Sequence, residues 1–307
     1  MQKRSAMRRA DAYVISITPF LPDGSLDEEG LRKHLQRMAS AGIGVYLGGG
    51  GSGEGYVLSP SELGRVLEIG VAELRGRVPV RAMGTEPRSA ADMIAFVRQA
   101  AAAGVDAVQV YSLDQGHGHR PGRDEIQAYF DDVLSAVDVD CVLSTHQSVG
   151  YTIPVDMLVG FLDRYPHVIG VNCTHQDLGY LARVIDAVGD RAPVHVGGPM
   201  QALTAWALGA RGFLCSEANL APELCMAVVE AYLADDMAVF ARFNAMQRLS
   251  NALYGAGGIR ATKGVLDRLG LPGGPPRRPQ LPVTSAVVDQ LMPVLSELGA
   301  LPSGAPS

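Results

Sequence analysis

Two identical tripeptides carry the most suggestive chemistry in this chain, Thr145-His146-Gln147 and Thr174-His175-Gln176. Histidine is the side chain whose ordinary pKa lets it take and return a proton near neutral pH. Ser144 precedes the first tripeptide and Asn172 stands two residues before the second, so a hydroxyl and an amide accompany the imidazoles. Glu54 and Glu217 are the carboxylates suited to orient a ring or to serve as a partner acid. Upstream, the run Gly48-Gly49-Gly50-Gly51-Ser52-Gly53-Glu54 offers consecutive backbone N–H groups with little side-chain cover. Such a run forms either a concave site for a carboxylate or phosphate, or a tight turn that simply needs its glycines. Both readings are open at this point.

Amines are scarce. The only lysines are Lys3, Lys33 and Lys263. None falls where the sequence places a strand end, and covalent amine catalysis requires the nitrogen within bonding distance of the substrate. The remaining histidines have blander readings: His117 and His119 lie in a polar loop, His195 sits between Val194 and Val196 as a hydrogen-bonded core residue, and His34 and His167 fall on a helix face and in a loop.

The elements that must position these residues follow from hydrophobic period. Short apolar or β-branched runs span Tyr13 to Ile17, Gly44 to Gly48, Pro79 to Met83, Asp106 to Tyr111, Asp140 to Ser144, Val168 to Asn172, Pro193 to Gly197 and Arg211 to Cys215. Between them lie stretches of helical period: Glu28 to Ala41, Ser61 to Leu74, Ala90 to Ala103, Arg123 to Val137, Val155 to Arg164, Leu178 to Val188 and Pro222 to Leu233. Alternating units of this kind build a parallel sheet, and eight of them make a single α/β domain, a (β/α)8 TIM barrel with its active site in the loops that follow the strands. An open doubly wound sheet is disfavoured, because Thr18-Pro19-Phe20 and a turn follow the first strand in place of a Gly-x-Gly-x-x-Gly fingerprint. The expected organisation is an N-terminal arm over 1–11, the barrel over 12–235, a C-terminal helical extension over 236–300 and a disordered tail over 301–307.

Composition narrows the partners. The chain has 307 residues, 47% of them hydrophobic, and a formal net charge of −6, with no basic run beyond Lys3, Arg4, Arg8 and Arg9. Nucleic acid is therefore not an expected partner. No apolar stretch approaches membrane-spanning length and no secretory h-region follows the N-terminal charges, so a cytoplasmic protein without membrane association is expected. Cys141, Cys173, Cys215 and Cys225 form no C-x-x-C pair and are expected as buried free thiols.

The order of motifs resembles the dihydrodipicolinate synthase and N-acetylneuraminate lyase family of barrel aldolases. The resemblance is carried by Thr18-Pro19-Phe20 with Asp23-Gly24, by Gly50-Gly51-Ser52-Gly53-Glu54 followed by Leu58-Ser59 and Glu62, by Gly84-Thr85, by Asn219 and Pro222, and by Ile259 to Gly270. It implies a lysine at the end of the sixth strand that forms a Schiff base with a 2-oxo acid, in a strand reading Gly-Ile-Lys-Asp. This chain reads Ile169-Gly170-Val171-Asn172-Cys173 there, and an amide cannot form an iminium. The resemblance also implies Tyr-Asn-x-Pro at the fifth strand, where this chain has Ser144-Thr145-His146-Gln147, and an arginine that has no counterpart among Ser148, Val149 and Gly150. Gly51 replaces the first signature threonine, while Ser52 keeps the hydroxyl that implies a surviving grip on a substrate carboxylate. A homotetramer or homodimer is implied as well.

The expectation is thus a Schiff-base-independent lyase of aldolase, hydratase/dehydratase or cyclase type. It acts on a small carboxylate or 2-oxo acid, with His146, His175, Asn172 and Ser144 catalytic and Gly51, Ser52, Glu54, Glu217 and Asn219 binding substrate. No cofactor is expected. Two other readings stay open: the histidines with Glu54 or Glu217 ligate a divalent metal, although no H-E-x-x-H motif occurs, or the pocket binds without turnover, as a regulatory relative would.

Overall fold

A computed structural model describes residues 8–301. Strands β1 (Asp11–Ile15), β2 (Gly44–Leu47), β3 (Val80–Ala82), β4 (Ala107–Val110), β5 (Cys141–His146), β6 (Val168–Thr174), β7 (Val194–Gly197) and β8 (Gly212–Cys215) close into a parallel barrel in chain order. Closure is direct, since Val14 of β1 registers with Val45 on one side and with Cys215 on the other. The helices that return the chain are α1 (Glu28–Ser40), α2 (Pro60–Leu74), α3 (Ala90–Ala103), α4 (Arg123–Ser135), α5 (Val155–Arg164), α6 (Leu178–Val188), α7 (Ala202–Leu208) and α8 (Pro222–Leu233). The short α7, with only Ala202, Ala205 and Trp206 buried, is the barrel helix that the sequence pattern misses.

Local chemistry sets the helix ends. Ser59 and Glu62 form a reciprocal capping box that starts α2, with Pro60 in its first turn. Ser89 accepts from the Asp92 amide to start α3, which stops at Gly104 in the left-handed region. On α1 the buried stripe is Leu31, His34, Leu35 and Met38, which places His34 on the core side.

After the barrel, α9 (Ala238–Gly255), α10 (Ile259–Arg268) and α11 (Ser285–Glu297) form the C-terminal extension. They share a second apolar cluster with the exit of β1, in which Ile17 and Leu220 meet Leu249, Leu253, Val265 and Leu295. The extension is therefore packed onto the barrel end where the strands emerge. The four cysteines are buried and unpaired. Most of the tail expected over 301–307 lies outside the described residues, as does most of the N-terminal arm.

The barrel axis is polar at its centre. The Arg81 guanidinium lies 4.3 Å from the Tyr13 ring centre and donates to the Tyr46 hydroxyl at 3.3 Å. His195 is buried, holds the Asp11 carboxylate through Nε2 and meets Tyr13 edge-on. It is a core histidine, as its apolar neighbours suggest.

Candidate active site

A cavity of about 900 Å³ opens where the strands end, within the size range of small-molecule sites. Every strand contributes a wall residue at or just beyond its end: Ile15, Gly50, Met83, Tyr111, His146, Thr174, Gly197 and Cys215. The C-terminal extension supplies Tyr254, Ile259 and Thr262 from above. Among the described residues no lysine lines this cavity.

Strands β5 and β6 run two residues further than their apolar patterns indicate, because Thr145-His146 and Cys173-Thr174 continue the ladder, with His146 in register with Thr174. Alternation then divides the polar residues. Thr145 turns away from the axis and bonds the Tyr180 hydroxyl of α6 at 2.9 Å, while His146 and Thr174 face the cavity. His175 follows and also lines it. The two tripeptides are tied together where Gln147 Oε1 accepts from the Gln176 amide at 3.1 Å.

Each histidine ring turns Nδ1 toward the amide two residues on, from Ser148 at 3.2 Å for His146 and from Asp177 at 3.0 Å for His175. For His175 that amide donates to a bare Nδ1, so the neutral ring carries its proton on Nε2. His146 has further company. Its Nδ1 lies 2.5 Å from Ser148 Oγ, which donates to Glu86 Oε1 at 3.1 Å, and the second Glu86 oxygen accepts from the Tyr56 hydroxyl. Burial pushes the His146 pKa down, opposed by the negative charge of Glu86.

Across the cavity, Ser52 Oγ and Ser216 Oγ are 2.6 Å apart. The Gly51 and Ser52 amides donate to no acceptor among the described residues, which leaves them available to an anion. Glycine at 48, 53 and 55 is demanded by packing or by a positive φ: Gly48 has φ 72°, and a Cβ at Gly53 or Gly55 would meet backbone at 2.8 Å or 2.3 Å. At Gly51 a Cβ would meet nothing within 4 Å. Turn and anion readings thus apply to different glycines of one run. Glu217 lines the cavity, is buried, takes the Ser216 amide at 2.9 Å through Oε2 and has no partner for Oε1.

Four of the residues expected at the site lie elsewhere. Glu54 turns away from the cavity into a fully buried ion pair with Lys263, and its other oxygen accepts from the Arg277 amide at 2.8 Å. Asn219 Oδ1 accepts from the Ile17 amide at 2.9 Å and faces His34 Nε2 at 3.0 Å, while its Nδ2 donates to the Ile15 and Ser216 carbonyls. Both residues have their polar atoms occupied inside the protein and hold loops, and neither lines the cavity. Asn172 lies one inward position below Thr174, roughly 7 Å deeper in the barrel, and donates to the Tyr46 hydroxyl at 3.0 Å and to Gln109 Oε1 at 2.6 Å. Gln109 lines the cavity above it; Asn172 and Ser144 do not. Neither is placed to touch a ligand directly. Tyr56, Glu86, Ser148 and Ser216 are the wall residues that sequence reasoning leaves unassigned; Glu86 alone gives a signal, as a carboxylate just past the third strand. Among the described residues, no group of three or more His, Cys, Asp or Glu side chains is arranged to hold a metal ion.

A closed parallel barrel whose strand-end cavity sets a few convergent polar side chains in a mostly apolar wall defines the class as a barrel enzyme scaffold. The family model described as the dihydrodipicolinate synthetase family matches residues 10–298, and the chain belongs to that family of lyases. The 4-hydroxy-tetrahydrodipicolinate synthase of Methanopyrus kandleri is 28% identical over 291 residues, covering 94% of this chain and 96% of the relative. The Phenylobacterium zucineum enzyme of the same name is 29% identical, covering 93% and 96%. Among solved structures, the Thermotoga maritima dihydrodipicolinate synthase superposes with a TM-score of 0.87 at 18% identity, covering 96% of this chain and 100% of its own. The Acinetobacter baumannii synthase complexed with pyruvate gives 0.85 at 23% identity, with coverage of 96% and 100%. These structures support the fold. No helix among the described residues is long and apolar enough to cross a membrane.

Proposed function

We propose that this protein is a lyase acting on a small carboxylic acid, bearing a 2-oxo or hydroxyl group, by acid–base chemistry without a Schiff base. One observation carries the reading: among the described residues the cavity presents two imidazoles and no amine, with an amide, Asn172, beneath it where the family resemblance implies lysine. His146 is the base and His175, with its proton on Nε2, the acid. The Gly51 and Ser52 amides take the carboxylate, and the free oxygen of Glu217 favours a ligand that also offers a hydroxyl. The relatives' names point to synthase activity, one synthase of the same fold is described as complexed with pyruvate, and the lysine that the resemblance implies but this chain lacks argues for a different mechanism on a related substrate. A homodimer or homotetramer is part of the same reading, to be checked by sedimentation.

Thermal melting against 2-oxo acids, hydroxy acids and divalent metals tests the ligand class. A ligand bound only to the native state at a hundred times its Kd adds about 2.7 kcal/mol of stability. A shift with an acid that survives chelation is the expected result. Borohydride reduction in the presence of that acid should leave the protein mass unchanged; a stable adduct would overturn the mechanism. Turnover should fall by roughly two to four orders of magnitude in His146→Gln or His175→Gln. Binding without turnover in the unmodified protein would establish a ligand-binding relative instead.

A further inference from the structure

Although the two Thr-His-Gln repeats share a local turn, only one of them has a carboxylate behind it. Ser148 and Glu86, from the loops after β5 and β3, stand in line behind His146; behind His175 Nδ1 there is only the Asp177 amide. A serine hydroxyl has one proton to donate. With Nδ1 bare, that proton must serve either the ring or Glu86, and the other contact is left without a hydrogen. With Nδ1 protonated, Nδ1–H donates to Ser148 Oγ at 2.5 Å and Oγ–H donates to Glu86 at 3.1 Å, so both contacts are made. The Ser148 amide, 3.2 Å from the same nitrogen, then loses its acceptor, and what weighs against that loss is the shorter Oγ contact together with the charge-assisted bond to the Glu86 carboxylate, neither of which has a counterpart at His175.

From this geometry we propose that Ser148 and Glu86 are positioning residues that hold His146 as its Nδ1–H tautomer, with the Nε2 lone pair turned to the cavity, and so divide the two histidines into a base and an acid. The inference rests on the acid–base reading above and deepens it. When a substrate proton moves to Nε2, the Nδ1 proton stays in place, and the imidazolium is met by a hydroxyl already polarised toward a carboxylate. The Tyr56 hydroxyl donates to the other Glu86 oxygen and keeps that carboxylate turned inward. The groups around this line are Glu86 and Tyr56, then Arg88 and Asp114, which pair with each other at 3.4 Å, and His175 across the ladder. No comparable chain supports His175, which is why identical tripeptides perform different tasks.

The test needs no substrate. The full chain, labelled with 15N at its histidines, is titrated by NMR, with the two resonance sets assigned by their loss in His146→Gln and His175→Gln. Neutral His146 should show a protonated Nδ1 and a bare Nε2, and His175 the reverse. Ser148→Ala should move His146 to the Nε2–H pattern, Ser148→Thr should keep the original one, and Glu86→Gln should lower its titration midpoint. Ser148 is exposed, so its two variants should melt with the parent. Nε2–H on both rings of the unmodified protein, or a His146 tautomer indifferent to Ser148→Ala, overturns the inference. Full turnover in His146→Gln would overturn the acid–base reading instead, and the two failures are read on different instruments.

Discussion

Glu54 and His146 are both polar residues at the strand-exit end of the barrel, one after β2 and one closing β5, yet they belong to opposite kinds of wall. On the side of β1, β2 and β8, behind the Gly51 and Ser52 amides and Glu217 that face the cavity, a second set of polar groups is sealed. Lys263 Nζ, fully buried, pairs with Glu54, donates to the Thr18 carbonyl at 2.9 Å and lies 4.6 Å from the Phe20 ring centre. Arg277 grips Glu62 with two nitrogens at 2.9 Å and 2.7 Å, and holds the Glu62 carboxyl down at about 2. On the side of β3, β5 and β6, His146, His175 and Ser148 each keep a face on the cavity. A residue's type and its place at a strand end therefore do not decide its role. Whether its polar atoms are already occupied does.

The sharpest way to break this comparison is to open the sealed side. Lys263→Ala or Glu54→Ala leaves a buried charge alone and should cost about 3–5 kcal/mol in chemical denaturation, whereas the double exchange Glu54→Leu with Lys263→Met should recover most of it. A loss below about 1 kcal/mol for either single variant would show that the pair is not the structural tie described. Asn219→Ala strands the Ile17 amide and the Ile15 carbonyl, and about 2 kcal/mol should be lost, with no change in ligand affinity by calorimetry.

Acid should act through His34. Burial without a counter-charge holds its pKa at about 3, against an ordinary value of 6.5. Below pH 6.5 the unfolded chain binds a proton that the folded one refuses. The stability contributed by the neutral ring is whole above pH 6.5 and drains away as pH falls toward 3, at about 1.4 kcal/mol per pH unit. Melting curves from pH 7 to 4 should show that slope, and His34→Gln should flatten it. The smallest stability change is expected on the open side: His146→Gln should alter unfolding by no more than about 0.5 kcal/mol while turnover falls by roughly two to four orders of magnitude. If His146→Gln unfolds the protein as readily as Glu54→Ala, the distinction between the walls collapses.

Much of the barrel was legible, since strand and helix periods differ and each β/α unit repeats the contrast. The errors are physical too. The apolar patterns of β5 and β6 end two residues short because His146 and Thr174 are polar, yet inside a barrel mouth a polar side chain faces a cavity and its strand continues. From sequence Glu54 and Asn219 look like ligand contacts because their partners are far away in the chain: Lys263 is 209 residues from Glu54, and Asn219 is 202 from Ile17. Proximity of that kind leaves no local pattern. The sequence offers Asn172 as a residue at the end of the sixth strand, but its depth under Gln109 depends on which layer of the barrel it occupies. Ser148 and Tyr56 are ordinary loop residues until Glu86 is seen between them.

The tie between Glu54 and Lys263 also has a bearing on the order of synthesis. Glu54 is translated early, and its counter-ion emerges only after all eight strands and the first helix of the C-terminal extension have been made. Through that interval the growing chain carries a carboxylate that must either stay in water or remain without its cation, so the first two β/α units cannot settle into their final packing as they appear. Ribosome-bound chains ending before residue 263 should consequently remain open to proteases around the Gly48–Glu54 loop, and release of the last helices, more than closure of the eighth strand, would mark the moment at which the molecule matures.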